Sequence, residues 1–176
     1  MSKKYNFIII GFFIAIIIFL GLLVIGFFDS KPRLKPIKML KEFSLQTIYP
    51  KHEILSSQDL KGQYYMVNFM ASWCGHCIDE IVEINAIRDK IPVKYIAIIV
   101  SDSEANIADL FTNIKNPFDY LAHNNRQVAD NFGNYSLPQN FIVNEKGEIV
   151  FKHNGVISRE QFEEQIIPFL NEHMIK

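Results

Sequence analysis

Residues Tyr64 to Ala71 (YYMVNFMA) form an almost unbroken apolar run. Ser72-Trp73-Cys74-Gly75-His76-Cys77 follows at once, and then come apolar residues at helical spacing. A run of that length and character is expected for a strand covered on both faces. The helical stretch spans about Cys74 to Lys90, with Ile78, Ile81, Val82, Ala86 and Ile87 as its apolar positions. Strand passing directly into helix, with the only two cysteines and the only tryptophan at the junction, sets the frame for the rest of the chain.

That frame continues downstream. Val93 to Val100 (VKYIAIIV) reads as a second buried strand. Ser103 to Asn113 reads as a helix with Ser103 as N-cap and Ile107, Leu110, Phe111 and Ile114 as its stripe. A short strand at Tyr120 to Ala122 and a short helix from Arg126 to Phe132 come next. Phe141 to Val143 and Ile149 to Phe151 flank Asn144-Glu145-Lys146-Gly147, the pattern of an antiparallel hairpin. Ser158-Arg159-Glu160-Gln161 is a capping-box start for a last helix, which Pro168 is expected to kink or divide. The order βαβα, connection, ββα predicts an α/β domain, a mixed sheet flanked by helices on both faces.

Phe7 to Phe28 carries 22 residues without a charge, about 33 Å as a helix and enough to cross a hydrocarbon core. A secretory h-region is shorter and ends at small residues, whereas this run ends Ile25-Gly26-Phe27-Phe28-Asp29. An uncleaved transmembrane anchor is therefore expected. Pro32 and Pro36 among basic residues then read as a stiff tether. The expected organisation is a tail at 1–6, an anchor at 7–28, a linker at 29–40 and a globular domain at 41–176. The chain is 49% apolar with the excess in the anchor, and its formal charge of −1 offers nothing for nucleic acid. Lys3 and Lys4 precede the span, while Lys31, Arg33, Lys35, Lys38 and Lys41 follow it. The positive-inside rule alone would place the domain in the cytoplasm.

A structural disulfide framework needs several spaced pairs, and one local pair constrains almost no chain. Zinc asks for four ligands and no second Cys pair exists, although His76, His123 and His153 could in principle assist. Redox chemistry is the remaining role. In a Cys-x-x-Cys at a helix N-terminus the first sulfur is expected to be exposed and to feel the positive end of the helix dipole, which favours the attacking thiolate. No cofactor is expected.

Strand, Trp73-Cys74-Gly75-His76-Cys77, helix, and a later Pro138 before a hairpin resemble the thioredoxin superfamily, over about Lys41 to Lys176. Asn68 stands where thioredoxins proper carry a buried Asp, and Glu80 follows three residues after Cys77. MVNFMASWCGHCIDE, together with the anchor, is similar to the membrane-tethered cytochrome c maturation thioredoxins of the CcmG/DsbE and ResA type. FGNYSLPQNFIVNEKGEI is similar to that family's proline loop and hairpin, but Gln139, Asn140 and Asn144 replace the usual Glu, Thr and Asp.

The resemblance implies roles. Cys74 would be the nucleophile and Cys77 the resolving thiol. Glu80, on the same helix face as Cys77, would exchange its proton, or else be a solvated helix charge. Asn68 would order the site or satisfy a neighbouring loop, and Trp73 would be an apolar platform or ordinary core. Leu137-Pro138 would be a cis bond opposite the cysteines, presenting backbone to substrate. The Gly75-His76 pair resembles that of protein disulfide isomerases. His76 would stabilise the thiolate and raise the potential, or face solvent to little effect.

The family further implies a single-pass protein of the inner (cytoplasmic) membrane with its domain on the periplasmic side. A transmembrane thiol electron donor would supply it, and the CxxCH cysteines of apocytochrome c would receive the electrons. Two other readings remain: a general thiol oxidase or isomerase, and a tethered copper- or haem-handling module. A peroxiredoxin is disfavoured, because ASWC lacks the Pro and Thr expected ahead of such a cysteine.

Overall fold

The computed structural model describes residues 13–14, 16–20, 36–50, 53–133 and 136–174. The chain divides into two units, Met1–Leu34 and Lys35–Lys176. In the first, the described residues are helical and their large apolar side chains, from Phe13 to Leu20, are exposed. No helix among the described residues is long and apolar enough to cross a membrane. Most of the expected anchor at 7–28 lies outside the described residues.

The second unit carries an eight-stranded mixed sheet. Its strands are β1 (Lys38–Met39), β2 (Ser44–Tyr49), β3 (Ile54–Ser56), β4 (Tyr65–Met70), β5 (Lys94–Ile99), β6 (Tyr120–His123), β7 (Gln139–Val143) and β8 (Glu148–Asn154). The spatial order is β1-β8-β7-β4-β5-β6-β2-β3. β4, β5 and β6 run parallel, which requires crossovers, and helices α1 (Gly75–Ile87) and α2 (Glu104–Asn113) supply them. α3 (Arg126–Phe132) leads toward β7, which lies antiparallel to β4. Every residue of β4 and β7 is buried, as the centre of a sheet covered on both faces demands.

One face of the sheet carries an apolar core that includes Tyr65, Val67, Phe69, Ile96, Ile98, Phe132, Phe141 and Val143. Phe69, Phe132 and Phe141 meet edge to face, with centroids 5.2–5.7 Å apart. By the two-residue period, Asn68, Tyr95 and Asn140 point to the opposite face.

The expected elements from β4 onward are present. Ser103 caps α2 by accepting from the Asn106 N–H, and Ser158 and Gln161 close a capping box. The last helix is divided as Pro168 requires. After α4 (Arg159–Gln161) comes a π-helical turn, Phe162–Ile166, and then α5 (Ile167–Met174). Pro168 has no N–H to give one turn back, and the wider turn ahead of it absorbs the misfit.

Two readings change. The tether does not run to Leu40: Ile37 N donates to Ile149 O at 2.7 Å and Leu40 N to Gly147 O at 2.9 Å, so β1 joins the sheet edge beside β8. Asn131 pins the same stretch, accepting from Lys41 N and donating to Lys41 O. The compact unit accordingly begins at Lys35. On α1 the buried positions are Cys77, Glu80, Ile81, Ile84 and Ile87, while Val82 and Ala86 face solvent. The junction with β4 turns Cys77 inward, and that sets the phase of the whole helix.

Candidate redox site

The site forms where β4 ends. Cys74 is the N-cap of α1, with extended backbone, and its Sγ accepts from the Cys77 N–H at 3.2 Å. Cys74 O also accepts from Cys77 N and Ile78 N, and the sulfur sits at the positive N-terminal end of a 13-residue helix with no acid in its first turn. The two sulfurs are joined in a disulfide, so the structure is that of the oxidised form. Cys74 is 9% exposed and Cys77 1%. The leading sulfur is therefore less open than expected, but it remains the reachable one of the two.

Trp73 projects into solvent at 62% exposure, so it is not ordinary core. Its Nε1 donates to Ser101 O at 3.1 Å. Ser101 itself has a φ of 51°, a left-handed conformation that is costly for a residue with a side chain. Next to it, Asp102 accepts from Ser72 N at 2.6 Å through one oxygen, and from Ser103 N and Asn106 Nδ2 through the other. Burial alone would raise the Asp102 carboxyl, but these bonds outweigh it and hold it below the usual value. The turn after β5 thus clamps the segment leading into Cys74. The reading of the sequence did not single out Ser101 or Asp102; an acid just before the N-cap Ser103 was the only signal available. Asp102→Ala is expected to cost about 1–2 kcal/mol from lost charge-assisted bonds and to alter the fluorescence of Trp73, the only tryptophan. Denaturant titration followed by that fluorescence checks it; a variant with unchanged stability and emission would show that the clamp carries no weight.

Beneath the disulfide lies a polar cluster. Glu80 is 1% exposed, which removes the solvated-charge reading. Its Oε2 accepts from Asn68 Nδ2 at 2.6 Å; its Oε1 accepts from Asn140 Nδ2 at 2.7 Å and from Ile157 N at 2.8 Å. Asn140 Oδ1 accepts from Asn68 Nδ2 at 2.9 Å and from the Tyr95 hydroxyl at 2.8 Å. Asn68 and Asn140 are direct partners in the β4–β7 register, so the sheet places both amides side by side under α1. Desolvation raises the Glu80 carboxyl to about 7 against the opposing pull of its three donors. A carboxyl that titrates near neutrality one turn from Cys77 can take up and return a thiol proton at physiological pH.

His76 is exposed, and its Nδ1 lies 3.6 Å from Asp79 Oδ2. Leu137 is half-buried and Pro138 buried, and the bond between them is cis. Phe69 pairs with Gln139, so the Leu137-Pro138 segment emerges beyond the same end of the sheet as Ala71 to Cys74. Gly155 N holds Pro138 O at 2.9 Å. Among the described residues, no group of three or more His, Cys, Asp or Glu side chains is arranged to hold a metal ion.

Comparison with known proteins fits this geometry. The sequence model of the AhpC/TSA family matches residues 37–152. A thiol:disulfide interchange protein DsbE from Allochromatium vinosum is 28% identical over 174 residues, covering 96% of this chain and 94% of its own. A thiol-disulfide oxidoreductase ResA from Bacillus thuringiensis is 26% identical over 141 residues, covering 78% and 80%. Among solved structures, StoA from Bacillus subtilis superposes with a TM-score of 0.59 at 24% identity, over 72% of this chain and 96% of its own. A thiol:disulfide interchange protein of the thioredoxin family from Chlorobium tepidum gives 0.61 at 20% identity, over 77% and 97%. The fold is thioredoxin-like.

Proposed function

Since the chain belongs to the AhpC/TSA family and is a thiol:disulfide oxidoreductase, we propose that its Cys74–Cys77 pair reduces the CxxCH cysteines of apocytochrome c during cytochrome c maturation. The observation that carries this reading is Glu80, buried in a cage of neutral amides on the Cys77 side of α1. In the reduced enzyme the Cys74 thiolate attacks one sulfur of the substrate disulfide. That bond breaks, the departing substrate sulfur takes a proton, and a mixed disulfide forms. Cys77 then passes its proton to Glu80 and attacks Cys74 Sγ; the mixed disulfide breaks, the second substrate sulfur leaves and takes a proton from solvent, and the enzyme disulfide closes. Two electrons have moved to the substrate. A membrane dithiol carrier restores the enzyme by the reverse exchange. Trp73 and the Leu137-Pro138 segment flank the incoming substrate strand, while Asn68 holds Glu80.

The domain works at the extracytoplasmic face of the cytoplasmic membrane, anchored by 7–28. The uncharged run and the exposed apolar side chains of its described helical residues support the anchor. The basic residues that follow it run against the positive-inside rule, which has exceptions. The exposure of His76 and its acidic neighbour Asp79 give little support to the oxidase or isomerase reading.

A reduction potential in or below the glutaredoxin range, about −200 to −230 mV, is expected, with stoichiometric reduction of an oxidised CxxCH peptide. A potential near about −180 mV, the isomerase value, without peptide reduction would replace this reading by the oxidase or isomerase one. Protease added to intact spheroplasts is expected to remove the domain; full protection would put it in the cytoplasm.

A further inference from the structure

We propose that Asn140 is a positioning residue for proton transfer at Glu80, its amide fixing which carboxylate oxygen exchanges the proton. The inference rests on Glu80 serving Cys77 as proposed above, and it assigns a task to a residue at which the chain departs from the pattern it otherwise resembles.

The hydrogen-bond count carries the argument. Glu80 Oε1 receives two donors, Asn140 Nδ2 and Ile157 N, which occupy both of its lone pairs. Among the described residues Oε2 receives Asn68 Nδ2 alone, which leaves one position for a proton. The division holds only while the Asn140 amide keeps its orientation. Asn140 Oδ1 is filled by the Tyr95 hydroxyl and by Asn68 Nδ2. Rotating the amide by half a turn would set its oxygen against Glu80 Oε1 and its NH₂ against that of Asn68. Both contacts are repulsive, so Tyr95 and Asn68 lock Asn140, and Asn140 in turn assigns the proton to Oε2. A threonine hydroxyl has a single polar atom with which to do both jobs; the amide divides them between its oxygen and its nitrogen.

The surroundings make the amide decisive. The ionisable groups facing this carboxylate are Cys77, one turn ahead on the same helix face, and the Tyr95 phenol of β5, whose own proton burial holds well above the usual range. Arg88 stands further along the helical run and acts on Tyr95. β4 and β7 present the neutral amides Asn68 and Asn140, and the segment before α4 presents the Ile157 N–H. Burial raises the Glu80 carboxyl, and the pull that opposes it comes from three amide donors, of which Asn140 is the one tied to Tyr95.

The test is the pH profile, from pH 5 to 9, of single-turnover reduction of an oxidised CxxCH peptide by the reduced full-length chain in detergent. The release of the second thiol is followed. Wild type is expected to show an inflection near neutrality that Glu80→Gln abolishes. Asn140→Leu removes a donor to the ionised carboxylate, so its inflection moves up by about one pH unit, with rates on the acid limb about tenfold lower. Tyr95→Phe, which removes one of the two contacts that lock the amide but no hydrogen bond to Glu80, shifts it in the same direction by less. A purely structural Asn140 would lower stability and leave the midpoint in place. If Asn140→Leu does not fold, Tyr95→Phe decides alone. Unchanged midpoints in the folded variants, with the inflection lost in Glu80→Gln, overturn the proposal and leave the role of Glu80 standing. An inflection that survives in Glu80→Gln sinks both.

Discussion

Replacing Cys77 by Ser is expected to stop the reaction at its first covalent stage, with Cys74 joined to its partner and turnover lowered by about 10³-fold or more. The reason is geometric. Cys74 and Cys77 lie three residues apart, with Cα atoms 5.2 Å apart, so the second thiol attacks the mixed disulfide from within the same helical turn. Any thiol from solution must instead arrive by collision, at a residue that is only 9% exposed in the oxidised form. Intramolecular attack at such proximity carries an effective concentration far above that of any cellular thiol. Serine keeps the size of Cys77 and its place on the buried face of α1, so the variant should fold. Cys74→Ser should form no adduct at all. Mass spectrometry of adducts from membranes of cells carrying Cys77→Ser gives the partner. Apocytochrome c peptides are the expected cargo. If other proteins alone are recovered, the substrate assignment falls, and if no adduct forms, the division of labour between the two sulfurs falls with it.

The second large effect is a loss of stability as pH rises. Burial holds the Glu80 carboxyl at about 7 in the folded chain, against 4.5 as its ordinary value. Between those values the folded chain binds one proton more than the unfolded chain. The stabilisation linked to that proton is complete below the unfolded value and is lost as pH rises to the folded one. The shift corresponds to a change on the order of 3 kcal/mol between pH 4.5 and 7. Asp102, held below its ordinary value, acts in the opposite sense and at lower pH, so the two windows are distinct. Urea denaturation of the oxidised protein at pH 5 and pH 7.5 should show the decline, and Glu80→Gln should flatten it. A slope that persists unchanged in Glu80→Gln would mean the proton resides elsewhere.

Much of this fold was legible along the chain, because its central elements announce themselves locally. The run from Tyr64 to Ala71, seven apolar residues broken only by Asn68, reads as a doubly covered strand once a helix follows directly, and β4 is buried throughout. The caps at Ser103 and Ser158 use side chains that bond to amides three residues on, a rule with no tertiary component. The three N-terminal strands were not legible for the converse reason. β1 is two residues long, and β2 buries only Leu45 and Thr47 toward the core, so neither carries a periodicity that stands out from a polar linker. Their pairing partners, β8 and β6, lie far along the chain. The face of α1 was misjudged because apolar residues occur on more than one of its sides. Burial of Glu80 in place of Val82 depends on how the β4 junction aims the helix.

By itself the amino-acid order determined the redox pair, its place at a strand-to-helix junction and the layered architecture around it, since each depends on neighbours within a few residues. Only the tertiary structure decided that Asn68 and Asn140, 72 residues apart, stand side by side beneath Glu80, and that Asp102 grips the loop leading into Cys74. Those contacts follow from antiparallel registry between β4 and β7 and from parallel registry between β4 and β5. Strand registry is settled by burying whole faces of a sheet at once, a collective free energy that no short stretch of chain contains.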